Sequence, residues 1–220
     1  MADDTKTWAL IHPERAALAD LLETLTPAQW DTASLCSGWT VRMMAAHIMA
    51  GAEQTTGNFL KGMARYGFRF NTYMDKTARR LGTLETAEIV RRIRARSTTT
   101  NHPPAPVMAM LGEVVVHGED IRRPLGLQGQ VAPAAVRACL DMYRGATFPV
   151  GGKKRIQGLR LTATDVDWSH GSGPDVAGPG MSLIMAMTGR RGGAEGLTGD
   201  GVPVLRQRLE AGSRISAAAD

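Results

Sequence analysis

Aromatic residues are scarce in this 220-residue chain, with Phe, Trp and Tyr at 5%. That argues against a stacking platform for single-stranded nucleic acid, which needs a row of exposed rings. Cysteine is nearly absent. Cys36 and Cys139 stand far apart, in no metal-type spacing. They give no disulfide framework, so a reducing compartment fits. No stretch approaches ~18 uninterrupted apolar residues, and no membrane span is expected. The segment MADDTKTWALIHPERAAL opens acidic and does not have the pattern of a signal peptide, so the cytoplasm is the expected location. No internal repeat is visible. The excess of charge is modest, at +5, and does not choose between nucleic acid and an acidic small molecule. Gly151-Gly152-Lys153 lacks the upstream Gly and following Ser or Thr of a phosphate loop, and that reading is rejected.

What is present is mostly helical periodicity. Leu18, Leu21, Leu22 and Leu25 predict a helix over 13–25, with Pro13 in its first turn. Thr26-Pro27 starts a short turn to Trp30, and Thr40 is a plausible N-cap for a long helix, VRMMAAHIMAGAEQTTGNFL. Residues 61–82, rich in Arg, Tyr and Phe, either extend a helix or form a substrate loop. Thr83 would cap a basic helix, LETAEIVRRIRARS. A helix follows from Pro106 to before Pro124, and another from Pro133 to about Arg144. Beyond 147 Gly and Pro become frequent. RIQGLRLTATDVDWSHG alternates as strand, PDVAGPG marks a turn region, MSLIMAMTGR a short helix, and VPVLRQRLE a strand or helix. The expected fold class is α+β: an up-and-down four-helix bundle over 1–147, a small C-terminal α/β domain over 148–212, and a disordered tail over 213–220.

One segment carries unusual chemistry. Glu113 and His117 stand four apart, on one helix face, in a run otherwise made of Met108, Met110, Leu111, Val114, Val115 and Val116. A buried carboxylate needs a cation, a proton or a metal. His47 sits in a second apolar helix, among Met43, Met44, Ala46, Ile48 and Ala50. Two readings stay open: a metal held by His47, Glu113 and His117, or a buried Glu–His hydrogen bond. A His/His/Glu set would leave one coordination position open, as catalytic zinc sites do. Asp120 either orients His117 from behind or pairs with Arg123. Cys36 has no activating neighbour in the sequence, and a packed thiol is the simpler reading. His12, His102 and His170 have no partner spacing and are assigned no role.

GWTVRMMAAHI, GEVVVHGEDIRRPLG and MAMTGRRGGAEGLTGDG, in that order, resemble the DinB-like superfamily in its mycothiol-dependent maleylpyruvate isomerase branch. The resemblance implies a DinB-like bundle with metal ligands His47, Glu113 and His117. It also implies a divalent metal, usually zinc, and mycothiol as thiol co-substrate, in keeping with an actinobacterial origin. The implied activity is that of a mycothiol S-transferase, in which the metal-held thiolate attacks an electrophilic small molecule. The alternative in the same branch is a cis-trans isomerase of the maleylpyruvate type. Outside it stand a metal-dependent hydrolase and a nonenzymatic metal- or ligand-binding protein. Arg190 would hold a carboxylate or the polar body of the thiol. No nucleic-acid or membrane partner is expected, and the chain would be a monomer or a homodimer.

Overall fold

The computed structural model describes residues 2–147 and 150–217. The chain divides into two compact units, Met1–Val131 and Ala132–Asp220. No helix among the described residues is long and apolar enough to cross a membrane.

The first unit is a four-helix bundle of α1 (Ala2–Glu23), α3 (Val41–Glu53), α6 (Thr86–Ala95) and α7 (Val107–Arg122), with α2 (Pro27–Asp31), α4 (Thr56–Arg65) and α5 (Phe70–Leu81) added between them. α1 packs on α6 and α7, and α3 packs on the same two. Fully buried Ile11, Leu18, Met44, Met49, Ile89, Ile93 and Leu111 fill the middle. Each such side chain contributes roughly 1.5–3 kcal/mol by leaving water.

Several boundaries differ from the sequence expectation, each for a local reason. α1 begins at Ala2, so Pro13 lies inside a continuous helix. Trp8 and Ile11 before it, and Leu18 and Leu22 after it, are all buried; this packing holds the helix through a residue that lacks an N–H. His12 is therefore helical, and His170 lies in a strand. The long helix expected from 41 breaks at Gln54. There Thr55 caps a new helix, its hydroxyl accepting from Asn58 N at 3.2 Å. The ambiguous stretch 61–82 forms the end of α4 and all of α5. α6 starts from Glu85 rather than Thr83. Thr26 and Thr40 do cap α2 and α3.

In the second unit, α8 (Pro133–Gly145) packs on α9 (Gly152–Ile156) and α10 (Gly180–Met187). It does so through Ala135, Val136, Cys139, Leu140 and Tyr143. This helix, expected within the 1–147 domain, thus belongs to the second unit, and the division falls near 131 rather than 147. Strands β1 (Arg160–Ala163), β2 (Ser169–Gly171) and β3 (Asp175–Gly178) form a sheet in the order β2-β1-β3. β1 is antiparallel to β2 and parallel to β3, with Leu161 opposite His170 and Val176. β3 occupies the segment expected as a turn region. α10, apolar on all sides, is buried along most of its length. α11 (Val202–Ala217) makes VPVLRQRLE helical and runs past 212. Residues 218–220 of the expected disordered tail lie outside the described residues.

Candidate metal centre

The centre forms where α3 meets α7. Thr40 caps α3, and seven residues further along His47 meets Glu113 of α7. Pro106 precedes α7 and Pro124 follows it, fixing a helix whose polar positions 113, 117 and 120 share a side. His47 Nε2 lies 2.8 Å from Glu113 Oε1. The rings of His47 and His117 meet edge-on at 5.1 Å between centroids. Donor atoms of His47, Glu113 and His117 all fall within 4.8 Å of one another. The structure therefore brings together the three residues singled out in the sequence.

Asp120 stands behind His117. It is fully buried, and its Oδ2 accepts from His117 Nδ1 at 2.8 Å. Of the two roles open to Asp120, this is the orienting one; Arg123 pairs instead with Glu119, at 3.1 Å. With Nδ1 engaged, Nε2 is the ring nitrogen that would meet an ion.

Three neighbours were not foreseen. The Cys36 thiol approaches Asp120 Oδ2 at 3.5 Å, while Leu35 N donates to the Asp120 carbonyl at 3.1 Å. Cys36, His117 and Asp120 so form a second close group of possible ligand atoms. Trp39 packs its ring 5.1 Å from that of His47 and donates through Nε1 to Asp75 Oδ1 at 3.0 Å, tying the loop before α3 to α5. Arg15, buried on α1, donates to the Thr99 carbonyl at 3.1 Å, and its charge acts on Glu113. Burial lowers Arg15 to about 10, so it stays protonated at neutral pH. These contacts join residues far apart in the chain, and no local pattern announces them. The fourth predicted residue, Arg190, belongs to the second unit. It follows α10, half-buried, with Nη1 donating to the Thr188 carbonyl at 3.1 Å, and its charge helps depress Arg155.

The electrostatics suit a cation or a proton. Burial alone would raise Glu113, but the charge and hydrogen bond of His47, with the charges of His117 and Arg15, hold it down at about 2. Burial alone would lower His47; the charge and hydrogen bond of Glu113, with the charge of Asp120, hold it above its ordinary value. Without a metal, the raised His47 and lowered Glu113 favour an imidazolium against a carboxylate. The same donors fit a metal. Two imidazoles and a carboxylate are a zinc-type set, and ligand atoms around a tetrahedral zinc stand about 3.3 Å apart. His47 and Glu113 stand 2.8 Å apart, with His117 within 4.8 Å of both, so modest side-chain movement would reach that spacing.

A His/Glu/His donor set on facing helices of a bundle, with a buried carboxylate behind one histidine, defines a helical-bundle protein with a candidate metal centre. Residues 11–101 match the model of the Mycothiol maleylpyruvate isomerase N-terminal domain family. That segment contains His47; Glu113 and His117 lie beyond it. The fold is that of the mycothiol-dependent maleylpyruvate isomerase crystal structure, at TM-score 0.62 and 17% identity over 90% of this chain and 92% of that one. A histidine-to-alanine mutant of that isomerase matches at TM-score 0.60 and 16% identity over the same shares. At these identities the likeness is one of fold. No curated protein sequence matches the chain.

Proposed function

We propose that this protein is a mycothiol-dependent enzyme, a transferase or isomerase, with a divalent metal of the zinc type held by His47, Glu113 and His117. The observation that carries the reading is the convergence of these three donors, with Asp120 behind His117, in a chain whose residues 11–101 match this family's model. A bound ion there would supply Lewis acidity and favour the thiolate form of a low-molecular-weight thiol. Glu113 supplies a carboxylate that stays ionised across the physiological range. Asp120 fixes the tautomer and angle of His117. Trp39 walls off His47 from one side.

The thiol sulfur adds to an electrophilic carbon of a small molecule. In the transferase reading the thioether is the product. In the isomerase reading the adduct rotates about its former double bond and the thiol leaves. Neither needs a nucleophile from the protein. Arg190 is assigned the role of holding a carboxylate or the polar part of the thiol. Loss of thiol-dependent turnover in Arg190→Ala, with metal retained, is the expected result; unchanged kinetics would remove that role.

The reading is tested by metal content. Purified wild type is compared with His47→Ala and Glu113→Ala, folding being checked by circular dichroism. About one zinc per wild-type chain, lost in folded variants, is expected. A wild type that takes up no metal when zinc is offered would leave His47 and Glu113 as a buried ion pair and end the proposal.

A further inference from the structure

The α4–α5 hairpin takes no part in the chemistry above, yet its charge is strongly one-sided. Between Gln54 and Leu84 there are six cations, Lys61, Arg65, Arg69, Lys76, Arg79 and Arg80, and one acid, Asp75. That net +5 equals the formal charge of the whole protein. Asp75 is taken by Arg79, at 2.9 Å, and by Trp39. Lys61, Arg65 and Arg80 form no ion pair among the described residues.

These three cations converge. Lys61 and Arg65, four apart, share a face of α4. Tyr73, Thr77 and Arg80, at i, i+4 and i+7, share a face of α5. With Gln54 at the end of α3 they line one concavity of about 550 Å³, within the usual range for small-molecule sites. Its floor is built rather than accidental. Tyr73 is buried, and its hydroxyl meets the Gln54 amide at 3.0 Å. α4 lies against the Tyr73 ring at Gly62, where a Cβ would come within 2.4 Å of it.

We propose that this concavity binds a small organic dianion, a phosphate ester or a dicarboxylate. Its negative groups are met by Lys61, Arg65 and Arg80, and its polar body by Gln54 and Thr77. Closely spaced cations favour two charges on one small molecule. The concave, hydrogen-bonding floor favours it over a polymer that needs a long track of charge. This site does not depend on the metal reading.

The test is calorimetry on the full chain at near-physiological salt, with inorganic phosphate and with succinate as separate probes. Saturable binding of at least one probe is expected, weakened roughly tenfold in Arg65→Gln/Arg80→Gln. It should be unchanged in Lys153→Gln/Lys154→Gln, which removes the same charge from an exposed part of α9. Phosphate alone would assign an ester, succinate alone a dicarboxylate, and both the shared class. No saturable binding, or equal weakening in the two double variants, would overturn the proposal. So would binding of anionic vesicles or of a single-stranded oligonucleotide that neither probe displaces. The vesicle arm matters because Leu60, Phe68 and Phe70 are exposed on the same hairpin.

Discussion

Asp120→Asn isolates the carboxylate behind His117 while keeping its volume. Asp120 is 0% exposed, and its strongest contact is the 2.8 Å bond from His117 Nδ1. An ionised acceptor there makes the imidazole a better donor and fixes which nitrogen is unprotonated. Outer carboxylates of this kind are worth roughly 10–100-fold in metal affinity, or about 1.4–2.7 kcal/mol at 1.4 kcal/mol per factor of ten. An asparagine can still turn its oxygen toward Nδ1, so Asp120→Asn should lie near the tenfold end. Asp120→Ala leaves the ring with no acceptor at that position and should approach the hundredfold end. The assay is competition for zinc against a chromophoric chelator at fixed pH, with circular dichroism confirming that the variants fold. Affinities within about twofold of wild type in both folded variants would refute the assigned role.

Two further outcomes follow from the same geometry. His47 is raised above 6.5 in the metal-free protein, so its contribution to stability is full below that value and is lost as pH climbs through the folded pKa. Glu113 falls from 4.5 to about 2, so its contribution is present above 4.5 and is lost as pH falls toward 2. The apo protein should therefore draw most from this pair between pH 4.5 and 6.5. Zinc must then displace one proton, and its affinity should drop about tenfold per pH unit below the His47 pKa. Calorimetry below pH 6.5, in buffers of different ionisation heat, counts that proton, and a count of zero there would contradict the ion pair. Gly51→Ala places a Cβ 3.3 Å from Glu113 Oε1. Urea unfolding should show a gain of up to about 1 kcal/mol from helix propensity, while zinc affinity falls because the carboxylate is crowded. Unchanged affinity would show that Glu113 shifts freely.

The candidate centre was partly legible in the sequence because its polar residues interrupt apolar helices. Glu113 and His117 are the polar positions of a run otherwise made of Val, Leu, Met, Ala and Gly, and His47 stands out in the same way on α3. Asp120 was visible as one of two choices because three residues along a helix return to the same side. Arg15 and Cys36 were not, since their contacts cross 98 residues to Glu113 and 84 to Asp120. The fold shows the same division. Thr26 and Thr40 announced their helices through local hydrogen bonds. β3 exists because β1 pairs with it, α8 takes its place from contacts with α10, and α1 passes through Pro13 because packing on both sides holds it. In each case tertiary contact overrides local propensity.

The charges gathered at the centre bear on what its open position would prefer. Glu113 and Asp120 bring two negative charges; Arg15 and a protonated His47 bring two positive ones, so the metal-free arrangement is neutral. A divalent ion requires His47 to be neutral. Two carboxylates, one guanidinium and the ion then sum to a single positive charge. In a half-buried setting that surplus favours an anionic fourth partner over a neutral one. A thiol can meet the demand by giving up its proton, and it does so more readily than water because its pKa starts near 8.5 rather than 15.7. Arg15, whose charge acts on Glu113 from α1, adds to the demand for an anion but does not itself choose between thiolate and hydroxide. On the proposed reading, the lower starting pKa of a thiol is the physical ground for placing thiol-dependent chemistry ahead of metal-assisted hydrolysis.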